Sequence, residues 1–250
     1  MRNIFLFALA AVSLAWVAAT RGWAATVRAD SSCVACHESA VGVPYLEHNL
    51  ADWKKSPHAK AAITCEACHG GDATKTEKAA AHAGMLPSTD PKSRVYFTGI
   101  PETCGACHAA EAAAFRKSRH SAELKSSGRG PNCVTCHGSM ANHVLAPREL
   151  EMTCTLCHRR PTQAYATLLS LDTAGQAIGR LSKKIDRASA SGVDVRAQQE
   201  SLARAKAAYR SAVVDWHTFK MEAVLKASQE AAKQANTASR DLELKEKLHD

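Results

Sequence analysis

Aromatic side chains are scarce. Phe, Trp and Tyr make up 5% of the 250 residues, and the 46% hydrophobic fraction rests largely on alanine. Alanine buries little apolar area, so a large Leu/Phe core is excluded over most of the chain. Either something other than side chains fills the interior, or much of the chain is thin helical hairpin. Beyond residue 25 no apolar run is long enough to cross a bilayer, which excludes a polytopic membrane protein. No stretch alternates for long enough to predict a strand. No proline follows Pro161 and no cysteine follows Cys157, so the last third carries none of the cysteine chemistry. Collagen and a wholly disordered chain are excluded by composition as well.

What the chain does have begins at its start. Arg2 supplies a positive end, Ile4 to Ala19 is uncharged and apolar, and Gly22 and Ala24 are small residues before a cut. Residues 1–25 therefore read as a cleaved secretory signal. Its sixteen apolar residues fall short of the roughly 20 that an anchoring helix needs. The expected mature protein is soluble and periplasmic or otherwise exported. Export also argues against nucleic acid as the partner of a chain with net charge +8.

All ten cysteines fall in five pairs, and every pair reads C-x-x-C-H. They are Cys33, Cys36 and His37; Cys65, Cys68 and His69; Cys104, Cys107 and His108; Cys133, Cys136 and His137; Cys154, Cys157 and His158. This is the attachment spacing of c-type haem. Two thiols three residues apart reach the two vinyl groups on one porphyrin edge, and the next residue lies under the ring with its imidazole at the iron. Zinc ribbons and redox disulfides also use C-x-x-C, but neither requires a histidine after each second cysteine. No cysteine is left over for a structural disulfide. In an exported protein that agrees with thioether use.

Each motif histidine reads as a proximal iron ligand, and a low-spin electron-transfer haem needs a sixth ligand, commonly a second His or a Met. The other histidines are not scattered. After Cys33 the order is motif, Ser56-Pro57-His58, motif with Gly70, then His82. After Cys104 it is motif, Ser118-Arg119-His120, motif with Gly138, then His143. Basic residues precede each S-x-H, and an aromatic, Trp53 or Phe115, stands three residues before each serine. The fifth motif has no S-x-H after it; His217 comes far downstream beside Trp216. His58, His82, His120, His143 and His217 thus give five distal candidates for five irons. For His217, a plain place in a helix core with Trp216 and Phe219 is the competing reading. His48, close before Trp53, is a lesser ligand candidate, and His249, one residue from the end, reads as a surface residue.

This doubled pattern resembles the multihaem c-type cytochromes, over residues 33–158. The resemblance implies five covalently bound haem c groups, low-spin with two histidines each and packed in a chain. A ligand histidine on a long C-terminal helix is similar to the multihaem proteins related to cytochrome c nitrite reductase and hydroxylamine oxidoreductase. There, C-terminal helices support the haem domain and often a dimer.

Residues 26–160 hold all five motifs, about 27 residues for each. That is too few to wrap each ring separately, so macrocycles are expected to touch and to supply the missing core. Residues 161–250 read differently. Leu171, Ile178 and Ile185 recur at heptad spacing on a helix over 162–189, with Leu168 and Leu181 alongside. Ser189 to Gly192 breaks it, Asp194 caps the next helix, and Val195, Leu202, Tyr209 and Trp216 recur every seven residues. The second helix runs to about Lys233, with a bend or break plausible at that length. The predicted fold is mainly α: a multihaem core of short helices and loops, then a long antiparallel helical hairpin that brings His217 back to one iron.

The expected function is electron carriage through a chain of bis-His haems between respiratory redox partners, such as a quinol dehydrogenase or terminal reductase. Peripheral membrane contact and a homodimer through the C-terminal helices are compatible with it. No catalytic residue is named, and an enzyme is disfavoured. The alternatives are a reductase or oxidase of a small nitrogen or sulfur oxyanion at one open haem, or a subunit of a larger respiratory complex or haem filament. The charge fits the cofactor. Removing the signal leaves +6, and ten propionates against five ferric porphyrins bring the holoprotein to about +1 oxidised and about −4 reduced.

Overall fold

Proline and glycine cut the first part of the chain into short helices, and the computed structural model shows them in sequence. It describes residues 31–39 and 50–249; the signal segment and His48 lie outside the described residues. The helices are α1 (Ser32–Ser39), α2 (Leu50–Lys55), α3 (Pro57–Lys60), α4 (Glu66–His69) and α5 (Lys78–Ala81), then α6 (Ile100–Gly105), α7 (Ala109–Phe115), α8 (Arg119–Ser127), α9 (Cys133–His137) and α10 (Pro147–Thr155). Pro57 and Pro147 open α3 and α10 at positions where the missing N–H costs nothing. Helices α4 and α9 stop on Gly70 and Gly138, at φ 80° and 81° with ψ near ±158°. That backbone region is open in practice only to glycine. No strand occurs among the described residues, so the chain is mainly α as expected.

Large buried apolar side chains are few before Pro161: Ile100, Phe115, Leu124 and Leu150. The C-terminal part packs differently. Helices α11 (Thr162–Ala190), α12 (Arg196–Trp216) and α13 (Met221–His249) lie side by side. Leu171, Ile178, Leu181 and Ile185 of α11 are buried, as the heptad spacing predicts. Ile178, Leu181 and Ile185 meet Leu202 and Ala205 of α12 and Ala235, Ala238 and Leu242 of α13. A second cluster joins Leu171, Ala212 and Val224 at the other end. Fully buried Ser228 bonds Ser170 Oγ at 2.8 Å, so the polar atoms between α11 and α13 satisfy each other.

The predicted hairpin is in fact three helices. The second helix stops at Trp216, and α13 runs back antiparallel to it. The stop is built from i→i−3 bonds: His217 N–H to Val214 O at 3.1 Å, Thr218 N–H to Asp215 O and Phe219 N–H to Trp216 O, both at 2.9 Å. Phe219 then adopts φ 57°, a left-handed conformation that reverses the chain. One unbroken helix from α12 through α13 would leave Val224, Ala231 and Leu242 in solvent; folded back, all three are fully buried. The bundle meets the motif region where α7 packs on α12 and α10 on α11.

Candidate functional site

Each motif occupies a single helical turn. The N–H of the motif histidine reaches back to the carbonyl of the first cysteine in His69 (2.9 Å), His108 (2.9 Å) and His158 (2.8 Å). This turn puts both thiols on one side and the imidazole beside them. Motif helix α9 is fixed by a reciprocal cap between Asn132 and Thr135, while Asn132 Nδ2 donates to Phe97 O at 2.8 Å. Arg94 holds motif helix α4 through Ala67 O at 2.9 Å.

The five motifs follow one another in space as they do in sequence. Burial pushes the Cys65 thiol up to about 11, and neighbouring Cys33 adds to the shift. Cys68 is raised by burial and by Cys104 and Cys107. Cys104 and Cys133 share a thiol hydrogen bond that raises the first and lowers the second. Burial pushes Cys136 up to about 11, with Cys154 and Cys157 beside it. None of the ten cysteines forms a disulfide.

Motif histidines face second histidines at closely similar spacings. The ring centroids are 6.2 Å apart for His37 and His82, 6.0 Å for His58 and His108, 5.8 Å for His120 and His158, and 6.2 Å for His137 and His217. His69 is engaged as well. With a metal–imidazole bond of about 2.0 Å and a ring centre about 1.2 Å behind the bonded nitrogen, imidazoles on opposite sides of one metal have centroids about 6.4 Å apart. The four pairs therefore fit an iron between them. No group of three or more His, Cys, Asp or Glu that could hold a bare metal ion exists among the described residues. Two histidines across a gap suit a metal whose other four donors come from a macrocycle. The residues present fit haem.

The helix ends explain how these rings are aimed. Ser56 and Ser118 are buried N-caps, accepting from Ala59 N–H (3.1 Å) and Ser121 N–H (3.0 Å). Each S-x-H thus sets its histidine at the second position of a new helix. Each serine N–H also donates 2.8 Å to the carbonyl of the preceding aromatic, Trp53 or Phe115. The other two partner rings sit at helix C-termini, where each ring shares a carbonyl with its own backbone N–H. His82 Nδ1 donates to Lys78 O at 2.7 Å, and His217 Nδ1 to Val213 O and Val214 O at 3.2 Å. His137 Nδ1 donates to His143 O at 2.9 Å. A carbonyl only accepts, so in these three rings Nδ1 carries the proton and the Nε2 lone pair is free. Burial lowers the pKa of His120 and of His217, which favours the neutral form of both rings.

His143 is placed differently from the expectation. Among the described residues its ring meets no motif histidine. Nε2 lies 4.0 Å from Glu149 Oε2, and Nδ1 donates to Ala141 O at 2.8 Å. Its carbonyl, not its ring, serves the motif. Two further contributors escaped the sequence reading: Asn142, whose Oδ1 lies 3.3 Å from His58 Nδ1, and Phe219, whose ring stands edge-on to His120 at 4.3 Å and 76°.

Residues 15–70 match the family described as cytochrome c554 and c-prime. A C-type polyheme cytochrome, OmcB, of Geobacter sulfurreducens is 33% identical over 124 residues, in strains DL-1/KN400 and PCA alike. That match covers 46% of this chain and 14% of those relatives. No solved structure matches. Haem-attachment motifs, paired histidines at iron-spanning distance and these likenesses together support a multihaem c-type cytochrome.

Proposed function

We propose that the protein is an exported pentahaem electron carrier, with haem c on each of the five motifs and two histidines on each iron. The observation that supports this most is the near-constant 5.8–6.2 Å spacing of the four imidazole pairs. Haem c, when attached, supplies a one-electron iron couple. The protein's own residues do the rest. The cysteines hold the groups in a row, the helix-end carbonyls fix the tautomer, and two neutral nitrogens per iron keep the ligand set unchanged between oxidation states. Contact between consecutive motifs favours passage of electrons along the row rather than substrate chemistry at one site.

Residues 26–160 serve as the haem-bearing part in this reading, and 161–250 as the support that delivers His217. Redox proteins such as a quinol dehydrogenase or terminal reductase are the proposed partners. Leu244 and Leu248, exposed near the end of α13, leave apolar surface for a homodimer. No described helix is long and apolar enough to cross a membrane.

Low-temperature electron paramagnetic resonance of the oxidised holoprotein, with carbon monoxide added to the reduced form, tests the reading. Five haems per chain, low-spin signals only and no carbon monoxide binding are expected. A high-spin haem that binds carbon monoxide or nitrite overturns it in favour of an enzyme.

A further inference from the structure

Ligand histidines in proteins nearly always donate their second ring N–H to an acceptor, which fixes the ring and raises its basicity. His58, His82 and His217 each do so, toward Asn142 Oδ1, Lys78 O and the Val213 and Val214 carbonyls. His120 does not: its Nδ1 is buried with no hydrogen-bond partner. What it has instead is Phe219, ring edge against ring face at 4.3 Å and 76°. Phe219 reaches it only by holding φ 57°, a conformation that side chains other than Gly, Asn and Asp rarely adopt. The strain sits at the α12–α13 turn, two residues after His217, which faces His137 at 6.2 Å. One turn of the helical bundle therefore touches two successive sites, one through a histidine and one through an aromatic ring.

We propose that Phe219 is a positioning residue for His120: it sets the plane of the imidazole, keeps Nδ1 dry, and thereby raises the reduction potential at the His120–His158 site. The inference rests on reading those two histidines as the axial ligands of one haem. The direction follows from ligand basicity. An imidazole that gives its Nδ1 proton to an acceptor is the stronger donor and favours ferric iron. A dry Nδ1 withholds that effect, and excluding water also disfavours the more highly charged ferric state.

The test uses the oxidised holoprotein and three variants. Phe219→Gly takes up the positive φ without strain and removes the ring. Phe219→Leu keeps an apolar cover but not the flat edge, and serves if the glycine form does not mature. His120→Met marks which resonance belongs to this site. In Phe219→Gly the g-values of that one signal move, and its midpoint potential shifts negative as water reaches Nδ1. In Phe219→Leu the g-values move while the potential holds. The other signals stay fixed in both. A His120-sensitive signal that ignores both substitutions overturns this proposal alone, as does an equal shift of all the haems. If no low-spin signal responds to His120→Met, the axial-ligand reading falls and this proposal falls with it.

Discussion

The imidazoles of His137 and His217 lie 6.2 Å apart with their planes 26° from parallel. One ring belongs to the fourth attachment motif and the other to the end of α12, so the helical bundle reaches into the row of sites. The relative orientation of two axial rings sets the g-anisotropy of a low-spin iron. The pairs His37–His82 and His137–His217 are near parallel, at 24° and 26°. Those of His58–His108 and His120–His158 are tilted, at 58° and 47°. Two classes of low-spin signal are therefore expected, rhombic for the first two pairs and more anisotropic for the other two. His217→Ala removes one near-parallel ligand. A single rhombic signal, about one haem in five, should become high-spin and bind carbon monoxide on reduction. A spectrum identical to the unmodified protein would leave His217 as ordinary helix packing.

The attachment chemistry was legible because it is local: a C-x-x-C-H turn is complete within five residues. The S-x-H repeat was legible as a pattern, while its cause, a serine cap that starts a helix at the right angle, is visible only in Ser56 and Ser118 as folded. Which histidine meets which motif was not legible. His58 passes over the second motif to reach His108, and His120 passes over the fourth to reach His158. Such pairing depends on the course of the chain, not on spacing. The heptad of α11 marked its buried face; in α12 Leu202 is buried, but Tyr209 and Trp216 are only half-buried and Ala205 and Ala212 fill the interior. The break before α13 left no proline or glycine to mark it, because the turn is carried by Phe219 at positive φ.

His143 occupies the place in the repeat that His82 fills in the first half, yet its ring faces Glu149 and Ala141. The contribution visible in the structure is its carbonyl, which accepts from His137 Nδ1 and survives side-chain truncation. His143→Ala is accordingly expected to retain all low-spin signals and the full haem count. Loss of one low-spin signal, measured beside His82→Ala as the positive control, would assign the His143 ring to an iron.

Gly130 packs against the helix that carries His120. A Cβ there would lie 2.6 Å from the His120 carbonyl oxygen and closer still to the Leu124 nitrogen. Both are backbone atoms, so no side-chain rotation relieves the clash. Gly130→Ala should cost about 1–3 kcal/mol through forced backbone shifts. It should also disturb the His120 signal before the other haems, which spectroscopy and thermal unfolding read together. Gly84→Ala is the contrast: nothing lies within 4 Å of its added Cβ, but its φ is 77°, unlike that of Gly130. It should show backbone strain and no change at His120.

Asp194 offers a pH test confined to the bundle and remote from the haem chemistry. Its carboxylate accepts from Arg196 N–H at 3.2 Å and from the Arg196 guanidinium at 3.0–3.1 Å. These hydrogen bonds hold its pKa down to about 2. The unfolded chain, with an ordinary carboxyl, takes up its proton at higher pH than the folded one. The stabilisation is therefore complete above about pH 4 and is lost as pH falls through about 2. The N-cap of α12 is Val195, not Asp194 as its sequence suggests, but the Asp194 carboxylate still accepts from the first helical N–H, so Asp194→Ala should lower the melting temperature of the helical signal at neutral pH. The gap between variant and unmodified protein should narrow from about pH 4 downward and close below about pH 2. A gap that stays constant over that range would mean that the lost stability does not come from the Asp194 charge; its backbone carbonyl, which accepts from Lys245 Nζ at 3.2 Å, is the same in both proteins.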